Sequence, residues 1–223
     1  MTDPEVLDLR IRPREGGYAR GQEGVEQILR AALALLVEHG SKALTLRRIA
    51  SECGVNVGNV SYYFKSKEEL IRALLDAVIA SYEDPFDEIA HDSDSSAEQR
   101  LERLLNLILV DITSKKTTRF FPELWAMANH DPFIQDRMEE LYARARVSLN
   151  DVIAEINPAL PDDERETLAL FMSASMEGMT VFAGHEKPWG HRMPWLIELS
   201  RRSFVELARS LKPGDMRAGR AKP

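Results

Sequence analysis

Between Gly40 and Lys67 the chain carries Lys42, Arg47, Arg48, Lys65 and Lys67 against one acid, Glu52, a local charge of +4. The carboxamides of Asn56 and Asn59 and the phenols of Tyr62 and Tyr63 lie among those cations. Cations interleaved with hydrogen-bonding side chains suit a polyanion, whose phosphates need positive charge and whose base edges need directional donors and acceptors. Chemistry of other kinds is poorly provided for. The sequence has no phosphate-cradling glycine loop, H-E-x-x-H, nucleophile elbow or paired-cysteine metal site, so it reads as neither an enzyme nor a cofactor or metal binder. His185, Glu186 and His191 lack the i, i+4 spacing of helical metal ligands and read as a solvated loop. Cys53 is the single cysteine, which excludes an intrachain disulfide, and it reads as a small packing residue.

The elements that must position the basic window read with helical period almost throughout. Val25, Ile28, Leu29, Ala32, Leu33 and Leu36 follow the i, i+3, i+4 rule over about residues 20–39, and Gly40 supplies a stop. Thr45 caps a short second helix, LRRIASE, which ends at Gly54, and Asn56 caps a third through Tyr63. Ser66 and Glu69 have capping-box spacing at the start of a fourth, whose stripe runs from Leu70 to Tyr82 until Asp84 and Pro85 kink or end it. HDSDSS at 91–96 reads as a polar linker, and Ser96 with Gln99 as the box opening a fifth helix. Pro122 leaves the start of a sixth unplaced, Asp131 and Pro132 open a long seventh, and two more cover about 162–184 and 194–211. No segment alternates with period two and no internal repeat is present, so the fold class is all-α with about nine helices.

Two short helices joined by a turn at Gly54 are too small to be core elements, and they coincide with the basic window. That arrangement is a helix-turn-helix, whose second helix enters the major groove. Ile49, Ala50, Val55, Val60 and Phe64 hold the two helices together, leaving Arg48, Asn56, Val57, Asn59, Tyr62, Tyr63 and Lys67 outside. With Thr45, Arg47, Ile49, Ala50, Gly54, Val55, Gly58, Tyr63, Phe64, Ser66, Lys67, Glu68 and Leu70 at these spacings, residues 20–82 resemble the DNA-binding domain of the tetracycline-repressor (TetR) family of bacterial transcriptional regulators.

The resemblance implies a homodimer that binds a palindromic double-stranded DNA operator and is released by a small-molecule effector. It places Thr45 and Lys67 on phosphate, and Tyr62 and Tyr63 among backbone-contacting aromatics, one ring packing inward being the alternative. Arg47 and Arg48 belong to the same DNA-binding set. Asn56, Val57, Gly58 and Asn59 would face the bases, Gly58 allowing close approach, asparagine pairing with adenine and Val57 meeting a thymine methyl. Ser61 stands where the family usually has Tyr, and Val57 where a polar or basic residue is common.

The expected organisation is an arm over 1–19, a DNA-binding domain with its linking helix over 20–82, an effector and dimerisation domain over 83–211 and a disordered tail over 212–223. Arg10, Arg12 and Arg14 in the arm are diluted by acids. Phe120, Phe121, Trp125, Asn129, Met172, Met176, Met179 and Phe182 are the candidate effector residues, since Met and aromatic side chains line adaptable cavities; His130 and Glu177 fall near the same faces. The last two long helices are expected to form the dimer interface. A net charge of −7 argues at first against nucleic acid, but eight acids against Arg100 alone lie between Glu83 and Glu102, so the acidity sits apart from the basic window. Apolar runs are too short for a membrane span and the amino terminus lacks a signal-peptide pattern, which predicts a cytoplasmic protein without a membrane partner. The alternatives are a helical interaction module, which would tolerate Asn59→Ala and Lys67→Ala, and an activator-type regulator without ligand-induced release.

Overall fold

The computed structural model describes Leu9 and residues 19–216. Among the described residues the elements are nine α-helices and two 3-10 turns. The helices are α1 (Ala19–His39), α2 (Leu46–Glu52), α3 (Val57–Tyr63), α4 (Lys67–Ala90), α5 (Ala97–Ile112), α6 (Lys115–Ala128), α7 (Pro132–Ile156), α8 (Asp162–Ala183) and α9 (Met193–Ser210). The turns are Ser41–Ala43 and Gly190–Arg192. No helix among the described residues is long and apolar enough to cross a membrane.

Local capping sets most helix starts. Ser96 and Gln99 form a complete capping box at α5, and Asp131 Oδ1 accepts from the amides of Phe133 at 3.0 Å and Ile134 at 3.4 Å to open α7. At α4 the box is shifted: Ser66 Oγ accepts from the Glu69 amide at 3.1 Å, while the Glu69 carboxylate accepts from Lys65 N at 2.8 Å. The 91–96 segment is an ordered turn in which Asp92 accepts from Asp94 N at 3.1 Å and from Ser95 Oγ at 2.8 Å.

Pro85, where the sequence has the fourth helix kink or end, and Pro122, which leaves the start of the sixth unplaced, both lie inside helices. α4 continues through Pro85 to Ala90, and α6 contains Pro122. An interior proline costs about 3 kcal/mol through a lost hydrogen bond and a clash one turn back. Burial offsets it, because Tyr82, Phe86 and Ala90 extend the buried stripe of α4 past the proline, and Phe120, Phe121, Leu124 and Ala128 do the same in α6. The start of α6 is set by Ser114, whose hydroxyl accepts from Thr117 N at 3.1 Å.

The chain forms two compact units, Met1–Asp84 with Ser114–Leu141, and Pro85–Thr113 with Tyr142–Pro223. This departs from the sequence division at 82/83, since α6 and the first part of α7 belong with the amino-terminal helices. Ion pairs and packing explain why: Lys115 and Arg119 of α6 pair with Glu38 of α1, Glu123 accepts from Ser41 N at 2.8 Å, and from α7 Arg137 pairs with Asp76 while Phe133 lies 3.7 Å below the Arg72 guanidinium. In the second unit α5 packs on α8 and α9, and Asn157 donates to the carbonyls of Ala208 at 3.0 Å and Leu211 at 2.9 Å. Buried Arg100 donates to Ala90 O at 2.5 Å and pairs with Glu155.

The tail expected to be disordered begins with structure. Lys212 N donates to Asp215 Oδ2 at 2.9 Å, and Gly214 N donates to the buried Glu164 carboxylate at 2.8 Å. The remainder of the tail, and Arg10, Arg12 and Arg14 of the arm, lie outside the described residues.

Gly40 adopts φ 75° and ψ 173°, and a Cβ there would stand 2.9 Å from Glu123 Oε1. Gly54, at φ 67°, has open space around it. Gly54→Ala therefore costs left-handed strain alone, about 1–2 kcal/mol, whereas Gly40→Ala adds a collision in a backbone region open essentially only to glycine, for about 3 kcal/mol in total. Urea denaturation of the two variants measures the difference; equal losses would contradict it.

Candidate nucleic-acid interface

The helix-turn-helix is built on a dry seam. Ile49, Ala50, Val60 and Phe64 are all at most 1% exposed, and they fix α3 against α2 and the helices beneath. Thr45 Oγ1 caps α2 by accepting from Arg48 N at 3.2 Å, and Gln27 Nε2 of α1 donates to Cys53 O at 3.1 Å across the turn. Burial pushes the Cys53 thiol pKa up, and its Sγ donates weakly to Gln27 O at 3.7 Å, in keeping with a packing residue.

Outside that seam the exposed set follows the sequence reading closely. Thr45, Arg47, Arg48, Asn56, Val57, Gly58, Asn59 and Tyr62 are exposed, and Lys67 is half-buried as the first residue of α4. Two residues have narrower roles than sequence assigned them. Asn56 Oδ1 is already engaged, accepting from Asn59 N at 3.0 Å as the α3 cap, which ties the side chain to the backbone and leaves its amide nitrogen the freer group for a base. Gly58 also lies close to this cap, since a Cβ there would stand 3.1 Å from Asn56 Oδ1, tight enough that the capping side chain would have to give by a few tenths of an ångström.

The two tyrosines divide. Tyr62 is 74% exposed, with the Lys65 ammonium 5.8 Å from its ring centre. Tyr63 packs inward, edge-on to Tyr62 at 5.1 Å and so close to α1 that a Cβ on Gly24 would lie 2.7 Å from its hydroxyl. Gly24 and Gln27 support the interface from α1, and sequence reasoning passed over both. The signal for Gly24 was a glycine inside an otherwise strong helix, a mark of close packing.

The candidate effector residues fall in both units and are described within each. In the amino-terminal unit Phe120 and Phe121 are buried, with ring centres 5.4 Å apart, and Phe121 lies 6.1 Å from Tyr82 and 6.4 Å from half-buried Trp125. Asn129 and His130 are exposed, Asn129 ending α6, so neither points into this core. In the carboxyl-terminal unit Met172 and Met176 are fully buried and Met179 is half-buried. Phe182 is 64% exposed on the opposite side of α8, which removes it from the interior. Glu177, on the inner part of α8, has its carboxyl pKa pushed up to about 7 by burial; a hydrogen bond from Tyr142 opposes this and the negative charge of Asp111 adds to it.

The chain matches the family described as "Bacterial regulatory proteins, tetR family" over residues 28–74, and that described as "BetI-type transcriptional repressor, C-terminal" over residues 97–192. It is 25% identical over 175 residues to the HTH-type transcriptional regulator BetI of Escherichia coli (strain SE11), an alignment covering 75% of this chain and 88% of that protein. A TetR transcription regulator from Haloarcula marismortui superimposes with a TM-score of 0.65 at 24% identity, over 85% of this chain and 98% of its own. A transcriptional regulator from Saccharomonospora viridis, solved in complex with choline, does so with a TM-score of 0.63 at 19% identity, over 84% and 96%.

The raised Glu177 pKa makes stability depend on pH. The folded state holds a proton on this carboxyl up to about pH 7, whereas the unfolded chain releases it near pH 4.3. Its contribution is thus complete below the unfolded value and lost as pH rises through 7. Between pH 5 and pH 8 the loss is on the order of 2–3 kcal/mol. Glu177→Gln, which cannot ionise, removes this decline, and thermal unfolding at pH 5 and pH 8 should show the variant gaining on the parent at the higher pH. Parallel profiles would count against the buried carboxyl.

Proposed function

The chain belongs to the TetR family of bacterial transcriptional regulators, a family of DNA-binding proteins, and we propose that it is a homodimeric repressor of a palindromic operator, released by a small-molecule effector. The observation that carries the proposal is the exposed amino-terminal turn of α3, where Val57, Gly58 and Asn59 stand clear of a buried seam and a side-chain cap holds the backbone. In this reading Asn59 reads a base edge and Val57 meets a thymine methyl. Thr45, Arg47, Arg48, Tyr62 and Lys67 bind phosphate or backbone, Lys67 beside the exposed amides that open α4. Tyr63 acts from within, setting the pose of α3 on α1.

Dimerisation is supported by α8 and α9. Leu170, Phe171, Val181 and Phe182 are each more than half exposed and share one side of α8 with Ala174 and Gly178, while Trp195 and Leu199 are exposed one turn apart on α9. A contiguous apolar surface of this kind marks an interface. Small residues at its centre allow close helix approach, and four such helices from two subunits make a bundle. Two-fold symmetry would set the α3 helices about 34–36 Å apart, in successive major grooves. The choline bound by the Saccharomonospora viridis regulator supports a small organic effector here too. An effector that favours wrongly spaced reading heads lowers operator affinity by the coupling free energy, typically about 1–3 kcal/mol.

Fluorescence anisotropy on the chain's own upstream DNA and on random DNA tests the proposal. Specific binding should weaken steeply with salt. Lys67→Ala should lower affinity alike for all sequences and reduce the salt slope by about 1, whereas Asn59→Ala should cost about 1–3 kcal/mol on the operator and change base preference at one position. No preference for the upstream region, or indifference to both substitutions, would refute the DNA assignment. For the dimer, sedimentation of Phe171→Asp/Phe182→Asp should show monomer where the parent sediments as dimer.

A further inference from the structure

DNA binding makes no use of a polar cluster inside the carboxyl-terminal unit. Glu177 and Thr180 lie one turn apart on α8, and side chains so spaced are neighbours. Thr180 is 0% exposed, yet its Oγ1 has no hydrogen-bond partner. Helical hydroxyls ordinarily bond the carbonyl one turn back. The other three on α8 do so: Thr167 to Asp163 O at 2.7 Å, Ser173 to Ala169 O at 3.0 Å and Ser175 to Phe171 O at 2.7 Å. Thr180 is the exception, and Glu177 Oε2 beside it is equally shielded and equally without a partner. Tyr142 of α7 hydrogen-bonds to the Glu177 carboxyl group, and Asp111, 7% exposed near the end of α5, is close enough for its charge to act on it.

Shielded acceptors without donors are costly, at about 1–3 kcal/mol each. Above about pH 7, where Glu177 ionises, two carboxylates of like sign in a poorly hydrated interior add a demand for positive charge. A ligand that relieves both conditions carries a cation and N–H donors on the same atom. We propose that Glu177, Thr180 and Asp111 recognise a protonated primary amine, and that such an amine is the effector; this rests on reading the chain as an effector-released repressor. An ammonium group offers three donors, matching Glu177 Oε2, Thr180 Oγ1 and the Asp111 carboxylate, in charge-assisted hydrogen bonds. Fully buried Met172 and Met176, on the same helix, supply adaptable apolar surface for its carbon chain. A quaternary ammonium brings charge without a donor, and an alcohol brings a donor without charge, so each meets half of the demand.

Calorimetry and thermal shift on the full chain at pH 8 test this, using n-butylamine, 1,4-diaminobutane and spermidine against n-butyltrimethylammonium, choline and n-butanol. At least one of the primary amines should bind ten-fold or more tightly than the quaternary compounds and the alcohol, and should weaken operator binding ten-fold or more. Glu177→Gln should cut amine affinity at least thirty-fold and Thr180→Val several-fold. Equal or better binding of choline, no response to any amine, or amine binding that survives both substitutions would each overturn the inference. Operator binding without amine is measured alongside. Its absence would fail the repressor reading itself, and its presence with no amine response fails only the ligand assignment.

Discussion

A helix of seven residues does not hold together in water, because nucleation costs more than two turns of hydrogen bonds return. α3 is such a helix, and everything proposed for DNA recognition depends on what holds it. The support is burial of Val60 and Phe64, each 0% exposed, against Ile49 and Ala50 of an equally short α2. Capping fixes the remaining freedom: Asn56 ties down the first turn of α3, and Thr45 that of α2. The side chains free to meet DNA are those that neither the seam nor the caps consume. In the proposed reading Asn59 and Val57 are freer to meet bases than Asn56, whose carbonyl oxygen holds the cap.

The same unit shows how the head is anchored beneath. The chain leaves α1 through Gly40 in a conformation open essentially only to glycine, and the next amide, Ser41 N, is held by Glu123 of α6. Lys115 and Arg119 bind Glu38 one helix face away, so α6 grips the end of α1 immediately before the helix-turn-helix begins. A helix far along the chain is thus built into the compact unit that carries the helix-turn-helix. Displacement of α6 cannot leave Ser41 unaffected without breaking the Glu123 contact, and in the effector-released repressor proposed above this would be a short physical route for linkage.

What sequence made legible was local. Caps at Thr45, Asn56, Ser96 and Asp131 involve partners two or three residues away, and all of them formed where their spacing implies. The stripe of α4 and the inner and outer sets of the helix-turn-helix follow from period alone. Pro85 and Pro122 were misleading because the offsetting term is tertiary: neither proline reveals that Phe86 or Leu124 will be buried beyond it. Tyr63 was ambiguous for a similar reason, since its inward pose depends on Gly24, nearly forty positions earlier in the chain. The Glu177 cluster draws on three helices far apart in sequence; only the acid on the inner part of α8, beside Met172 and Met176, was visible beforehand.

The net charge of −7 suggests repulsion from DNA, and the dense acids at 83–102 suggest a strongly negative surface. The structure reduces the second impression, because Asp92, Glu98 and Glu102 are paired with Arg103, Arg209 and Arg201. An acid paired with an arginine projects little net field, and what remains is screened within about 8–10 Å at ordinary salt. A phosphate approaching α3 therefore responds chiefly to Arg47, Arg48, Lys65 and Lys67, the cations next to it, and hardly to the sum over the chain. A protein of negative net charge can bind a polyanion on these terms, provided its cations stand on the element that makes contact and its acids are neutralised by partners elsewhere.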